Sequence, residues 1–174
     1  MKKGSDYTIH YIGLAKGQHE FSYSVDEKFF NEFGHADVKK GKISVEVELT
    51  KQERVLLLNF RFEGWLRMTC HRCLEEFDYP IVGSKRLIVK LGDRAEEESD
   101  EVIVVPAESN ELNLAQYIFE FIELLIPLRV VHPDDAKGKS TCNPEVLKVM
   151  NRHIDNNRKP ENHTWDQLKK LKFK

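Results

Sequence analysis

"KISVEVELTKQERVLLLNFRFEGWLRMT", residues 42–69, is the stretch that decides the fold. In its first half Ile43, Val45, Val47 and Leu49 alternate with Ser44, Glu46 and Glu48. Side chains of a strand point to opposite faces in turn, so this period of two describes a strand with one buried face. "TKQER" has the length of a hairpin connection. Beyond it Leu56, Leu58, Phe60 and Phe62 share one face, and the same parity continues to Leu66 and Met68. Two such runs in tandem make the centre of the chain an antiparallel sheet.

Working outward, residues 7–12 ("YTIHYI") and 19–25 ("HEFSYSV") read as short strands, with "GLAKGQ" as the turn between them. Asp26 is placed to cap a short helix that buries Phe29, Phe30 and Phe33. A loop from Gly34 to Gly41 follows. On the other side, "FDYPIVGSKRLIVKLG" (77–92) supplies more strand, and Gly83 with Ser84 suggests a bend or bulge. "DRAEEESDE" (93–101) reads as a solvated acidic loop, and "VIVVP" as a compact strand ended by Pro106. The spacing of Leu114, Ile118, Phe121, Ile122 and Leu125 predicts a helix over 112–126, capped by Asn110 or Asn113 and stopped by Pro127. Glu120 and Glu123 on this helix should face water. The segment after Pro127 is rich in turn residues and lysine, with short amphipathic helices expected near 145–151 and 164–171. The expected fold is α+β: an antiparallel β-rich core domain over 1–128, with helix 112–126 as its one main amphipathic helix. A short helical, basic C-terminal segment over 129–174 would dock on it.

The 174 residues are 40% hydrophobic and 32% charged, with a net charge of −2, as in an ordinary soluble domain. Charge is unevenly spread. Residues 93–123 hold ten acids against one arginine, whereas residues 137–174 hold ten lysines and arginines against four acids. No apolar run approaches the roughly 18 residues that cross a bilayer. Asp6, His10 and Tyr11 interrupt the start, which excludes a signal peptide as the reading of these residues. Three cysteines are too few and too odd for a disulfide scaffold, so a reducing, cytoplasmic setting is expected.

"TCHRCLEEF" (69–77) puts Cys70 and Cys73 in a Cys-x-x-Cys turn at a strand end. Such a turn lets two thiolates converge on a zinc ion. The set that completes a tetrahedral site is Cys70, Cys73, His132 and Cys142, although His132 and Cys142 stand ten positions apart. A redox pair would call for a helix N-terminus. Two small buried thiols remain the plain alternative. No serine lies in a nucleophile elbow, and no glycine-rich phosphate loop occurs. "HPDD" (132–135) suits a turn cap better than a cation site. The sequence therefore reads as no enzyme, with no small-molecule substrate. Lys148, Arg152, Arg158, Lys159, Lys169 and Lys170, interleaved with Trp165, offer phosphate neutralisation and base stacking. Trp165, Leu168 and Leu171 equally fit the apolar face of a docking helix.

The order of these parts resembles a known family. "YTIHYIGLAKGQHEFSYSVDEKFF", the alternating strand, "FEGWLRMTCHRCLEEFDYPI" and "LIVKLG" come first, then "LAQYIFEFIELLIPL", "VHPDD" and Cys142. Together they look like the YceD family of bacterial proteins linked to accumulation of large-subunit ribosomal RNA, in the form found in Bacteroidetes-type bacteria. Cys70, Arg72, Cys73, Leu74 and the proline-ended helix before His132 are the anchors. The resemblance implies a non-enzymatic accessory role in ribosome biogenesis, supporting accumulation or processing of 23S rRNA. The partner would be large-subunit rRNA or a large-subunit ribosomal protein, and Arg72 joins the basic residues above as a partner-binding candidate. A chaperone for a basic ribosomal protein, met by the acidic stretch near 96–101, and an RNA-processing enzyme are the alternatives. Some members resembled carry further cysteines after the helix; this chain has only Cys142 there.

Overall fold

The computed structural model describes residues 7–34, 40–93, 95–99 and 101–156. The chain divides into two compact units, Met1–Thr69 with Glu76–Val130, and Cys70–Glu75 with Val131–Lys174. The first is an α+β unit. Its elements are β1 (Thr8–Ile9), β2 (Gly17–Asp26), α1 (Glu27–Glu32), β3 (Gly41–Lys51), β4 (Val55–Thr69), β5 (Glu76–Gly92), β6 (Glu96–Ser99), β7 (Val102–Pro106), β8 (Leu112–Asn113) and α2 (Ala115–Glu123). The second unit contains α3 (Pro144–Asn156).

Six strands form one sheet in the order β2-β3-β4-β5-β7-β6, and β1 pairs with β8 in a separate two-stranded ladder. The central hairpin follows its hydrophobic pattern: Val45 faces Phe62, Val47 faces Phe60, and Leu49 faces Leu58 across the β3–β4 ladder. These side chains are buried on one sheet face. Ile118, Phe121 and Ile122 of α2 belong to the same core, with Phe121 edge-on to Phe60 at 5.2 Å between ring centres. The Asp26 cap forms, its carboxylate accepting from the N–H groups of Lys28 and Phe29.

Several expectations change. The sheet is not wholly antiparallel, because β5 and β7 run parallel. Residues 96–99 are an edge strand pairing with β7 instead of an acidic loop; an edge strand keeps one side open, so the ladder tolerates acidic composition there. β5 runs through Gly83 and Ser84 in unbroken register with β4. The glycine answers packing rather than a bulge, since a Cβ at position 83 would strike the Leu125 side chain. Phe33 is at the C-cap of α1, partly exposed and stacked on Phe119, while Phe29 and Phe30 are buried. The main helix is shorter than 112–126. Leu112 and Asn113 are held in β8 by β1, and the last turn ends at Leu124 ahead of Pro127. Asn113 still serves this end, its side chain accepting from the Ala115 N–H at 2.8 Å. Glu120 is exposed as expected, whereas Glu123 is half-buried. Among the described residues no helix is long and apolar enough to cross a membrane.

Candidate metal centre

All four residues singled out as ligands lie in the second unit. Residues 70–75 form a tight turn between the last residue of β4 and the first of β5. The Cys70 N–H donates to the Glu75 carbonyl, and the Leu74 N–H to the Cys70 carbonyl, both at 2.9 Å. This turn closes only because Leu74 takes a left-handed conformation, φ 62°. His132 and Cys142 meet through a second turn. Asp134 bridges Ser140 in antiparallel fashion, the Asp135 N–H donates to the Lys139 carbonyl, and Gly138 supplies a left-handed φ of 73°. One Asp135 oxygen accepts from the N–H groups of Lys137 and Lys139 at 2.9 and 2.8 Å. The turn reading of "HPDD" holds, and this turn is what shortens the ten-position gap between the two ligands.

The ligand atoms of Cys70, Cys73, His132 and Cys142 all lie within 4.8 Å of one another. The Sγ atoms of Cys70 and Cys142 are 3.7 Å apart; His132 Nδ1 is 3.4 Å from Cys73 Sγ and 3.7 Å from Cys142 Sγ. Tetrahedral bonds of about 2.3 Å to sulfur and about 2.0 Å to nitrogen require S···S near 3.8 Å and S···N near 3.6 Å. The spacing fits a metal ion of that kind. It does not fit a disulfide, whose sulfurs stand about 2.05 Å apart, and all three cysteines are free.

The backbone is arranged for sulfur anions. Burial pushes the Cys70 thiol up, but the N–H groups of Cys73, Arg72 and His132 and the His132 ring outweigh it and bring it down to about 5 from the ordinary 9.0. Cys73 is raised, chiefly by burial and then by the neighbouring Cys70 and Cys142, against N–H groups of Glu75 and Asn143. Three thiols crowded this closely resist joint ionisation without a cation among them. A metal ion at this position would supply that cation.

Around the ligands sits a supporting layer that sequence reasoning missed. Ser140 Oγ accepts from Arg72 Nη1 at 2.9 Å and from the Cys142 N–H at 3.3 Å, tying one turn to the other. Asn143 donates to Glu75 Oε1 at 2.6 Å and accepts the Glu145 N–H at 2.9 Å, so it caps α3 beside Cys142. The signal was present as Asn143-Pro144-Glu145, a helix start with proline in the first turn. Of the basic candidates, Arg72 is thus a brace of the centre. Lys148 pairs with Glu145 at 2.8 Å on the exposed face of α3, and Arg152 is exposed on the same helix. Arg158, Lys159, Trp165, Lys169 and Lys170, with the helix expected near 164–171, lie outside the described residues.

A family model described as "Large ribosomal RNA subunit accumulation protein YceD" matches residues 58–172, well over half of the chain and all four ligands. No curated protein and no solved structure matches the chain.

Proposed function

The chain belongs to the YceD family, whose name ties it to accumulation of the large-subunit ribosomal RNA, and from that premise we propose that it is a non-enzymatic accessory factor that binds this rRNA through its second unit. The family match carries the reading. The charge of the unit supports it: residues 70–75 and 131–174 hold eleven lysines and arginines against seven acids, whereas the rest of the chain holds sixteen against twenty-two. Phosphate attracts the first and is repelled by the second.

The metal in this reading is zinc. Three thiolates and an imidazole are its preferred donors, and four protein ligands leave no coordination position open to a substrate, which is the mark of a structural site. Zinc would fix the two turns and so present Arg72 and α3 in one arrangement. The protein purified without chelator should carry about one zinc per chain, and less than about 0.2 would overturn the site, because closed thiolate sites retain their metal.

The test of the function is recovery of tagged protein from cells, with and without RNase, at low and high salt. Large-subunit rRNA crosslinked to residues of the second unit, and lost with RNase, is the expected result. Ribosomal proteins that stay bound after RNase would instead favour a protein-directed chaperone role, which the acidic first unit supports. Cleavage of precursor rRNA by the pure protein with Mg²⁺ would overturn the non-enzymatic reading.

A further inference from the structure

The six-stranded sheet packs its core on one face. The other face of β2–β5 is exposed at alternate positions, with Glu20, Ser22 and Ser24 on β2, Ser44 and Glu46 on β3, and Asn59, Arg61 and Glu63 on β4. Shallow hollows run over it from Glu20 and Glu46 to Arg61, and from Arg61 to Val82 and Ser84. Water-facing sheet surfaces are usually polar. This one is polar at one end and apolar at the other. Trp65 is 38% exposed and Val82 73%. Trp65 stands opposite Pro80, and Val82 opposite Glu63, in successive same-face pairs of the β4–β5 ladder.

The acidic part spans three strands, and Gln18 Nε2 donates to Glu48 Oε1 at 3.1 Å within it. Glu20 lies directly across from Glu48 in the β2–β3 ladder, and like charges in that position repel. Glu46 is the next residue along the same face of β3, and Glu63 stands opposite Ser44 on β4. Adjacent strands are about 4.8 Å apart, so these carboxylates cover three strands within reach of one bound segment. On the same face Arg86 is engaged by Glu101 at 3.2 Å, Arg61 stands across from Glu46 and Lys42 across from Trp65, so the glutamates Glu20, Glu46, Glu48 and Glu63 outnumber the cations outside an ion pair among the described residues.

We propose that this sheet face docks an arginine- and lysine-rich polypeptide segment of a partner protein. One cationic side chain would stack over Trp65, whose ring face attracts a guanidinium or ammonium group. Neighbouring cations would meet Glu63, Glu46 and Glu20, and an aliphatic residue would cover Val82. Cation docking relieves the Glu20–Glu48 repulsion, whereas a nucleic-acid phosphate would add to it. The surface gives the protein-directed role a location and a chemistry. It is separable from rRNA binding by the second unit, since either can fail while the other stands.

The test uses the full chain with Trp165→Phe, so that Trp65 is the sole indole. The probes are an arginine-rich peptide, a glutamate-rich peptide of equal length and a single-stranded oligouridylate. The arginine peptide should shift Trp65 emission and weaken with salt, and the glutamate peptide should do neither. The triple variant Glu20→Gln/Glu46→Gln/Glu63→Gln should bind the arginine peptide about tenfold less tightly, as expected for three exposed charge pairs. The same triple variant made in the wild-type chain, with Trp165 retained, should unfold at or above the wild-type temperature and keep its rRNA crosslink. Binding by the variant within about twofold of wild type would overturn the proposal. So would a Trp65 response to oligouridylate, which would make the occupant RNA, or self-association abolished by the variant, which would make it a second copy of this chain.

Discussion

Leu74 is 76% exposed, so its side chain contributes little by burial, yet its backbone holds the left-handed conformation that closes the Cys70–Cys73 turn. For a residue with a Cβ that conformation costs roughly 1–2 kcal/mol, part of which glycine returns through its freer unfolded chain. Leu74→Gly should therefore raise stability of the metal-loaded protein by about 0.5–1 kcal/mol, and Leu74→Val should lower it, both read from unfolding midpoints. The thiols carry a second residue-scale prediction. Cys70 has a depressed folded value of about 5 against 9.0. Its ionised form therefore contributes stability that is full above pH 9.0 and is lost as pH falls through about 5. Cys73 is raised and must give up its proton to a metal. Zinc uptake at pH 7 should therefore release protons, that of Cys73 among them, and calorimetry in buffers of different ionisation enthalpy would register the total. Metal should be shed as the solution is acidified, because protons compete with it for the thiolates.

At the scale of elements, the central hairpin was legible because a buried face on one side of a sheet writes an alternating pattern that no other structure shares. Gly64 shows how tightly that hairpin is built. A Cβ there would collide with the backbone of Lys42 and Ile43 on the neighbouring strand. Backbone cannot swing aside as a side chain can, so Gly64→Ala should destabilise by about 1–3 kcal/mol, measurable by denaturant unfolding. Asp26→Ala should cost about 1 kcal/mol through loss of the α1 cap. Elements that depend on partners distant in sequence were less legible. Glu96–Ser99 looks like a solvated run until β7 pairs with it, and Leu112 and Asn113 look helical until β1 takes them into a ladder. The parallel β5–β7 pairing leaves no local mark, since hydrophobic period gives a strand its faces and not its direction.

For the molecule as a whole, the candidate ligands were legible because the chain has only three cysteines and His132, among seven histidines, lies ten positions before Cys142 in a turn-rich segment, but their convergence was not. It depends on the Asp134–Ser140 turn, and the Ser140 and Asn143 bonds that brace it link residues far apart in sequence. Chelation should therefore act on one unit and spare the other: amide exchange in α3 should accelerate while that of β3 and β4 is unchanged. If α3 carries rRNA contacts, Arg152→Ala should weaken binding across sequences and reduce the slope of log K against log salt by about 0.7, the loss of one phosphate contact to a single strand. The centre also has a history in time. Cys70 and Cys142 are separated by 72 positions, with β5, β7 and α2 between them. A chain growing from its N-terminus exposes the first two thiols long before the other two residues exist. A metal ion held by all four residues would therefore be bound only once Cys142 has emerged, and a nascent chain halted before that point holds a bare Cys-x-x-Cys.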